Sequence, residues 1–334
     1  MNRWILGLAL CTAPAFGWGD DTPKWLENWS LKGDFRVRGE GIEFDREDRK
    51  TRNRARYRFR IGAQKKISDR LGFGFRLASG SGDPTSTNET FDNSFSGKDI
   101  VIDRAFFTYK KSGWTLGAGK HENPFHCTDI VWDSDVNPEG FYQKYDNKRF
   151  FLTLGESFVE EESSGPDTNL YAAQAGLKGE AGPVAYKVSG AYYLYKDLAL
   201  PIIGATDYRF VDLVADVSFV SGVPVSLTLD FVKNTTSEVE AEDTAWAVFA
   251  QIGEDDSPGA WWGTVKYAEI ELLSVNGAFA DSDFGFSDVE GFVVDLNYRA
   301  SKHVAARLAV FSVDSILATD NGFNRVQLDC SLKF

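Results

Sequence analysis

Read back from the C-terminus, Phe334, Leu332, Cys330, Leu328 and Val326 are apolar, and the intervening Lys333, Ser331, Asp329, Gln327 and Arg325 are polar. Strict alternation over a strand length turns one face to an apolar medium and the other to water. The same period recurs along the chain. Phe73, Phe75 and Leu77 alternate with Gly72, Gly74 and Arg76, and Val225, Leu227, Leu229 and Phe231 with Ser226, Thr228 and Asp230. About sixteen such segments follow one another from Trp29 onward. They run from 30–44, 55–67 and 71–80 to 291–300, 304–315 and 323–334.

The joints between segments are sorted by length. Short ones stand at 68–70, 112–113, 147–148, 181–183, 221–223, 254–259 and 301–303. Long polar ones alternate with them at 45–54, 81–98, 121–139, 160–168, 197–209, 233–243, 274–290 and 316–322. Bacterial membrane barrels arrange periplasmic turns and extracellular loops in this way, and a β-sandwich has no reason to. The alternation also runs to the final residue. A soluble domain rarely ties down its terminus, whereas a closed sheet must pair its last strand with its first. The pattern predicts an all-β, transmembrane antiparallel β-barrel of about sixteen strands, with short periplasmic turns and long extracellular loops. Two segments fit the alternation badly. Asp103-Arg104 puts charge on both faces of 99–111, and Lys120 shares the parity of Trp114, so each calls for a bulge or a rim position.

Composition agrees. Met1 to Arg3 is a positive start, Trp4 to Leu10 an apolar run, and small residues follow, so residues 1–17 read as a cleaved signal peptide and 18–334 as one barrel domain. No later apolar run approaches the roughly 18 residues of a membrane helix. Aromatic residues make up 14% of the chain, with 31 glycines and one methionine, which suits a large sheet with many tight turns. The formal net charge of -13 disfavours nucleic acid as a partner. Cys127 falls in a loop and Cys330 on the apolar face of the last strand, so no disulfide is expected.

Charge on the inward parity points to function. Arg54, Arg56, Arg58 and Arg60 alternate with Ala55, Tyr57, Phe59 and Ile61, stacking guanidinium groups roughly 7 Å apart on one face. With the apolar partners toward lipid, the arginines point into the lumen, and Arg36, Arg38 and Arg76 on neighbouring strands widen the row. Strand n of a sixteen-strand barrel stands opposite strand n+8, which sets Asp212, Asp216 and Asp230 across from this wall. The joint 121–139 adds Asp129, Asp133, Asp135 and Glu139. Folded inward, it would narrow the channel and set carboxylates against arginines, a selectivity device built from rings of charge.

Several stretches carry a resemblance: Arg56-Tyr57-Arg58-Phe59-Arg60-Ile61, Arg76-Leu77-Ala78, Asp83 to Asn88, Asp103 to Phe106, and Thr128 to Asp135 followed by Asn137 to Gly140. In these the chain resembles the bacterial "putative porin" family of Gram-negative outer-membrane barrels, and more distantly it is similar to the general diffusion porins. The resemblance implies an outer-membrane channel passing small hydrophilic solutes and ions, with the third loop, here the joint 121–139, in the pore. It also implies outer-membrane lipid and lipopolysaccharide as surroundings, the barrel assembly machinery as a partner, and a homotrimer. The C-terminal Phe334 resembles the assembly signal of such barrels. The alternatives are an outer-membrane hydrolase and a secreted β-sandwich binding protein. Only His121, His126 and His303 exist to serve catalysis, so neither a catalytic residue nor a metal or cofactor site is expected.

Overall fold

A computed structural model describes residues 28–198, 206–318 and 320–334; the expected signal peptide lies outside them. The strands are β1 (Trp29–Phe44), β2 (Arg52–Lys66), β3 (Leu71–Ser79), β4 (Glu89–Thr90), β5 (Ile100–Lys111) and β6 (Trp114–Lys120). Next come β7 (Glu139–Asp146), β8 (Phe150–Glu160), β9 (Thr168–Ala181), β10 (Val184–Lys196), β11 (Tyr208–Ser221) and β12 (Val223–Asn234). The last are β13 (Thr244–Ile252), β14 (Trp261–Ile270), β15 (Val289–Arg299), β16 (Val304–Ser315) and β17 (Phe323–Lys333). All except the two-residue β4 form the wall, each antiparallel to the next. β17 returns to β1 through a ladder from Asp34↔Lys333 to Phe44↔Phe323, closing a sixteen-stranded barrel. β4 sits above the end of β3 and pairs with β2 at Arg56↔Thr90 and Tyr57↔Glu89.

The period-2 pattern becomes the two faces of this wall. On β12, Leu227, Leu229 and Phe231 are exposed on the outside, while Asp230 and Val232 are buried within. Both misfits have local causes. Opposite Arg76 and Leu77 the register jumps from Arg104 to Ile102, leaving Asp103 as the extra residue of a bulge. Asp103 pairs with Arg76 and Arg104 bonds Asn137, so neither charge meets lipid. Lys120 ends β6 at the rim, opposite Glu139.

At the closing seam the backbones of Gly33 and Phe334 exchange hydrogen bonds of 2.8 and 3.0 Å. The Phe334 ring lies over Gly33, where an added Cβ would come within 2.5 Å of ring carbons. Only glycine leaves room for that approach.

The lumen is not uniformly polar. Ile130, Val131, Trp132 and Val136 from the loop 121–138 pack with Tyr193, Tyr195, Tyr208 and Phe210 of β10 and β11, and with Phe284 from the loop 271–288. Trp132 stacks on Phe279 of that second loop, with centroids 5.5 Å apart and planes 12° from parallel. Burial of this apolar cluster draws both loops inward and presses them onto the β9–β16 side. What remains open is bounded by β1, β2 and the inner faces of β13–β16, and on the side of the short turns by β1, β2, β3 and β17.

Candidate functional site

Three loops meet inside the barrel. Asp133 N–H donates to Phe279 O at 2.7 Å and Asp281 N–H to Asp129 O at 3.0 Å, so the loops 121–138 and 271–288 pair as a short ladder. The loop between β3 and β5 joins them: Thr87 Oγ1 donates to Asp135 Oδ2 at 3.2 Å, and Ser282 Oγ to Thr85 O at 3.4 Å.

The arginine wall faces this assembly. Arg36 stands opposite Arg58, and Arg38 opposite Arg56, in the β1–β2 ladder. Like charges directly opposite repel, and carboxylates inserted among them offset that cost. Asp34 accepts from Arg58 (2.8 and 3.0 Å) and Arg60 (2.8 Å), and Arg60 also reaches Asp135 of the third loop at 3.0 Å. Arg38 is only 2% exposed and is held by Asp329 and, at 2.9 Å, by Asp283 of the loop 271–288. Glu40 pairs with Arg54. Arg36 and Arg56 are tied less fully, to Asn88 at 2.6 Å and Ser86 at 3.3 Å, and their Nε groups have no partner among the described residues.

Between wall and loops lies a cavity of about 390 Å³. Arg36, Arg38, Arg58 and Arg307 bound one side; Asp129, Asp133, Asp135, Asp281 and Asp283 bound the other, with Lys266 among them. A second cavity of about 320 Å³, on the side of the short turns, is lined by Asp34, Arg58, Arg60, Arg76 and Lys333. Arg58 lines both. Lys266 Nζ is 2.7 Å from Asp129, 3.7 Å from Asp281 and 4.2 Å from the centre of the Phe284 ring.

Burial pushes the Asp133 carboxyl up to about 8, with Asp281 and Asp135 adding to the effect against the N–H donors of Asp135 and Ser282. Asp281 is raised by burial to about 6, with Lys266 pulling it down and Asp129 and Asp283 pushing it up. For Asp283 burial acts upward too, but Arg38 and Arg325 outweigh it and hold the group well below the usual carboxylate range.

Four acidic positions stand elsewhere than expected. Glu139 has the outward parity of its strand neighbour Phe141 and pairs with Lys120 at 2.7 Å on the rim. Asp212 and Asp230 lie beneath the third loop, 1% and 3% exposed, with Thr128 Oγ1 donating to Asp230 at 2.5 Å. The folded loop covers them and removes them from the central cavity. Asp216 is engaged by His126, whose ring nitrogens stand 2.7 Å from Asp216 Oδ2 and 2.8 Å from Ser189 Oγ. Gln174 clamps the His126 backbone from both sides, and Ser189 is buried, so this serine–histidine–aspartate chain anchors the loop to the wall. Sequence reasoning missed the inward course of 271–288 and its Asp281 and Asp283. A signal was present: Asp281-Ser282-Asp283 repeats the Asp133-Ser134-Asp135 of the third loop.

A family model described as "Putative porin" matches residues 46–200 and 199–334. Nothing matches among curated proteins. Solved structures similar to the chain include OprB of Pseudomonas putida at high pH, with a TM-score of 0.66 and 12% identity, covering 92% of this chain and 94% of that one. A mutant porin of Rh. blastica aligns with a TM-score of 0.58 and 13% identity over 92% and 100% of the two chains. Salmonella typhi OmpF in complex with daunomycin gives 0.58 and 11% over 92% and 97%. At these identities the likeness is one of fold.

Proposed function

Because the chain belongs to the "Putative porin" family, an outer-membrane β-barrel channel, we propose that ions and small hydrophilic solutes cross it passively through one off-centre passage beside the arginine wall. The observation that carries this reading is the position of Arg58, which lines both the central and the turn-side cavity. A solute moving between them passes its guanidinium, so the narrowest section is bounded by Arg36, Arg38 and Arg58 against Asp129, Asp133 and Asp135. Arg60 and Arg76 line the step below, and Arg56 the approach above. Phe334 serves as the signal for the barrel assembly machinery, lipid and lipopolysaccharide surround the outer face, and the channel works as a homotrimer.

Conductance of the purified protein in planar bilayers tests the passage. Stepwise, ohmic channels are expected. A silent bilayer with protein whose heat-modifiable migration proves it folded would overturn the reading.

A further inference from the structure

The third loop is not alone in its construction. Asp133-Ser134-Asp135 precedes Glu139-Gly140-Phe141, and Asp281-Ser282-Asp283 precedes Glu290-Gly291-Phe292. In both triplets the first aspartate's Oδ1 accepts from the N–H of the second at 2.8 Å. In both, the second aspartate reaches the arginine wall: Asp135 to Arg60, and Asp283 to Arg38 and Arg325. Gly140 and Gly291 share a φ of 156°, and a Cβ on either would strike a backbone oxygen of the next strand, Glu156 O or Ser312 O. The wall strands that follow, β7 and β15, are the sixth and fourteenth of sixteen, eight apart. Their turn-side ends carry matching aromatic pairs, Trp114 with Tyr145 and Trp261 with Tyr298. The two loops are thus one device used twice on opposite halves of the barrel.

We propose that Asp281 and Asp283 form a second selectivity element, equivalent in construction to Asp133 and Asp135, so that two loops rather than one set the ion preference of the passage. This rests on the passage proposed above and names residues that decide what it favours. The two copies differ in their surroundings. Asp281 faces Lys266 of β14, Asp129 of the third loop and Asp283 of its own. Asp133 faces Asp281, the backbone N–H of Ser282, and Asp135, and has no ion-pair partner among the described residues. With their carboxyls raised to about 6 and about 8, Asp281 is mostly charged at pH 7 and Asp133 mostly neutral. The equivalent positions therefore speak at different pH.

The test is the reversal potential in a potassium chloride gradient, with Asp281→Asn and Asp133→Asn measured at pH 7 and pH 9. Asparagine keeps the Oδ1 that accepts the loop's own N–H. One charge about 10 Å from an ion in water changes its partition roughly twofold. At pH 7, D281N should lower the potassium-to-chloride permeability ratio about fourfold, about twofold from each ion in opposite directions, while D133N leaves it unchanged; at pH 9 both should lower it. A D281N potential equal to wild type at both pH values overturns the second element. Loss of all conductance in the wild type would instead sink the passage itself. As an independent probe, Ser282→Cys treated with a cationic methanethiosulfonate should lose current, and an untouched current would again overturn the proposal.

Discussion

Arg38 of β1 and Asp329 of β17 stand directly opposite in the ladder that closes the barrel, and their side chains form a two-pronged ion pair with contacts of 2.7 and 2.9 Å. The first and last strands are thereby joined by a buried charge pair as well as by backbone hydrogen bonds.

Removing one partner of such a pair strands the other. Asp329→Ala should cost about 3–5 kcal/mol, because Arg38 is buried and keeps only Asp283, while Arg307 and Arg36 also lose a carboxylate within 4 Å. The readout is the temperature at which the folded, fast-migrating form is lost on gels. A variant as heat-resistant as wild type would mean the seam is held by its backbone alone.

Arg58→Gln with Arg60→Gln should shift selectivity toward cations, raising cation partition roughly fourfold and lowering anion partition by as much, two charges at about twofold each for either ion. Arg58 lines both cavities, and loss of both arginines leaves Asp34 uncompensated. Arg299→Gln should do far less, since Arg299 pairs with Asp255 in the turn at 253–260. The reversal potential is best taken at low salt, where screening is weakest. If the double variant matches wild type, these arginines do not bound the narrow section.

Protonation of Asp133 should steady the docked loop. Its carboxyl lies higher in the docked state, about 8, than its ordinary 3.8, so docking takes up a proton. The contribution is fully present below about 4 and is lost as pH rises through 8. Open-channel noise should therefore be greater at pH 9 than at pH 6, and Asp133→Asn should abolish that difference. Equal noise in wild type at both pH values would refute the linkage.

Cys127 should resist thiol reagents even when they can enter the pore. Burial pushes its thiol up, aided by Asp212 and Asp230 beneath it. Cys330 has the outward parity of Leu328 and Leu332 and should exclude charged reagents. Rapid labelling of either by a bulky charged maleimide in intact cells would contradict these placements.

Deleting Phe334 should leave export intact and block membrane insertion, and Gly33→Val should weaken insertion by crowding the same ring. Heat-modifiable protein at normal outer-membrane yield from the truncated chain would show that the residue is dispensable.

The wall was legible because a period of two is written residue by residue. Even the Asp103 bulge announced itself as two adjacent charges. The arginine row was legible for the same reason, since parity alone turns Arg36, Arg38, Arg56, Arg58 and Arg60 inward. The loops were harder. Nothing local says that 121–138 will cover Asp212 and Asp230, because the cover comes from side chains a hundred residues away. Tyr192-Tyr193-Leu194-Tyr195 breaks the alternation, as a strand apolar on both faces does. That break marks where the lumen holds a packed core instead of water.

Asp283 reaches Arg38 on the first strand and Arg325 on the last, so one loop residue spans the barrel's final joint. That bridge has a consequence for the order of events in biogenesis. A loop tip that contacts both edges can reach its seat easily while the edges are apart; after zipping, it must descend from the outer mouth past two other loops. The expected sequence is plug first, zipper second. A cysteine pair linking the tip to β17 should thus form on chains arrested before closure, and its absence from such chains would reverse the order.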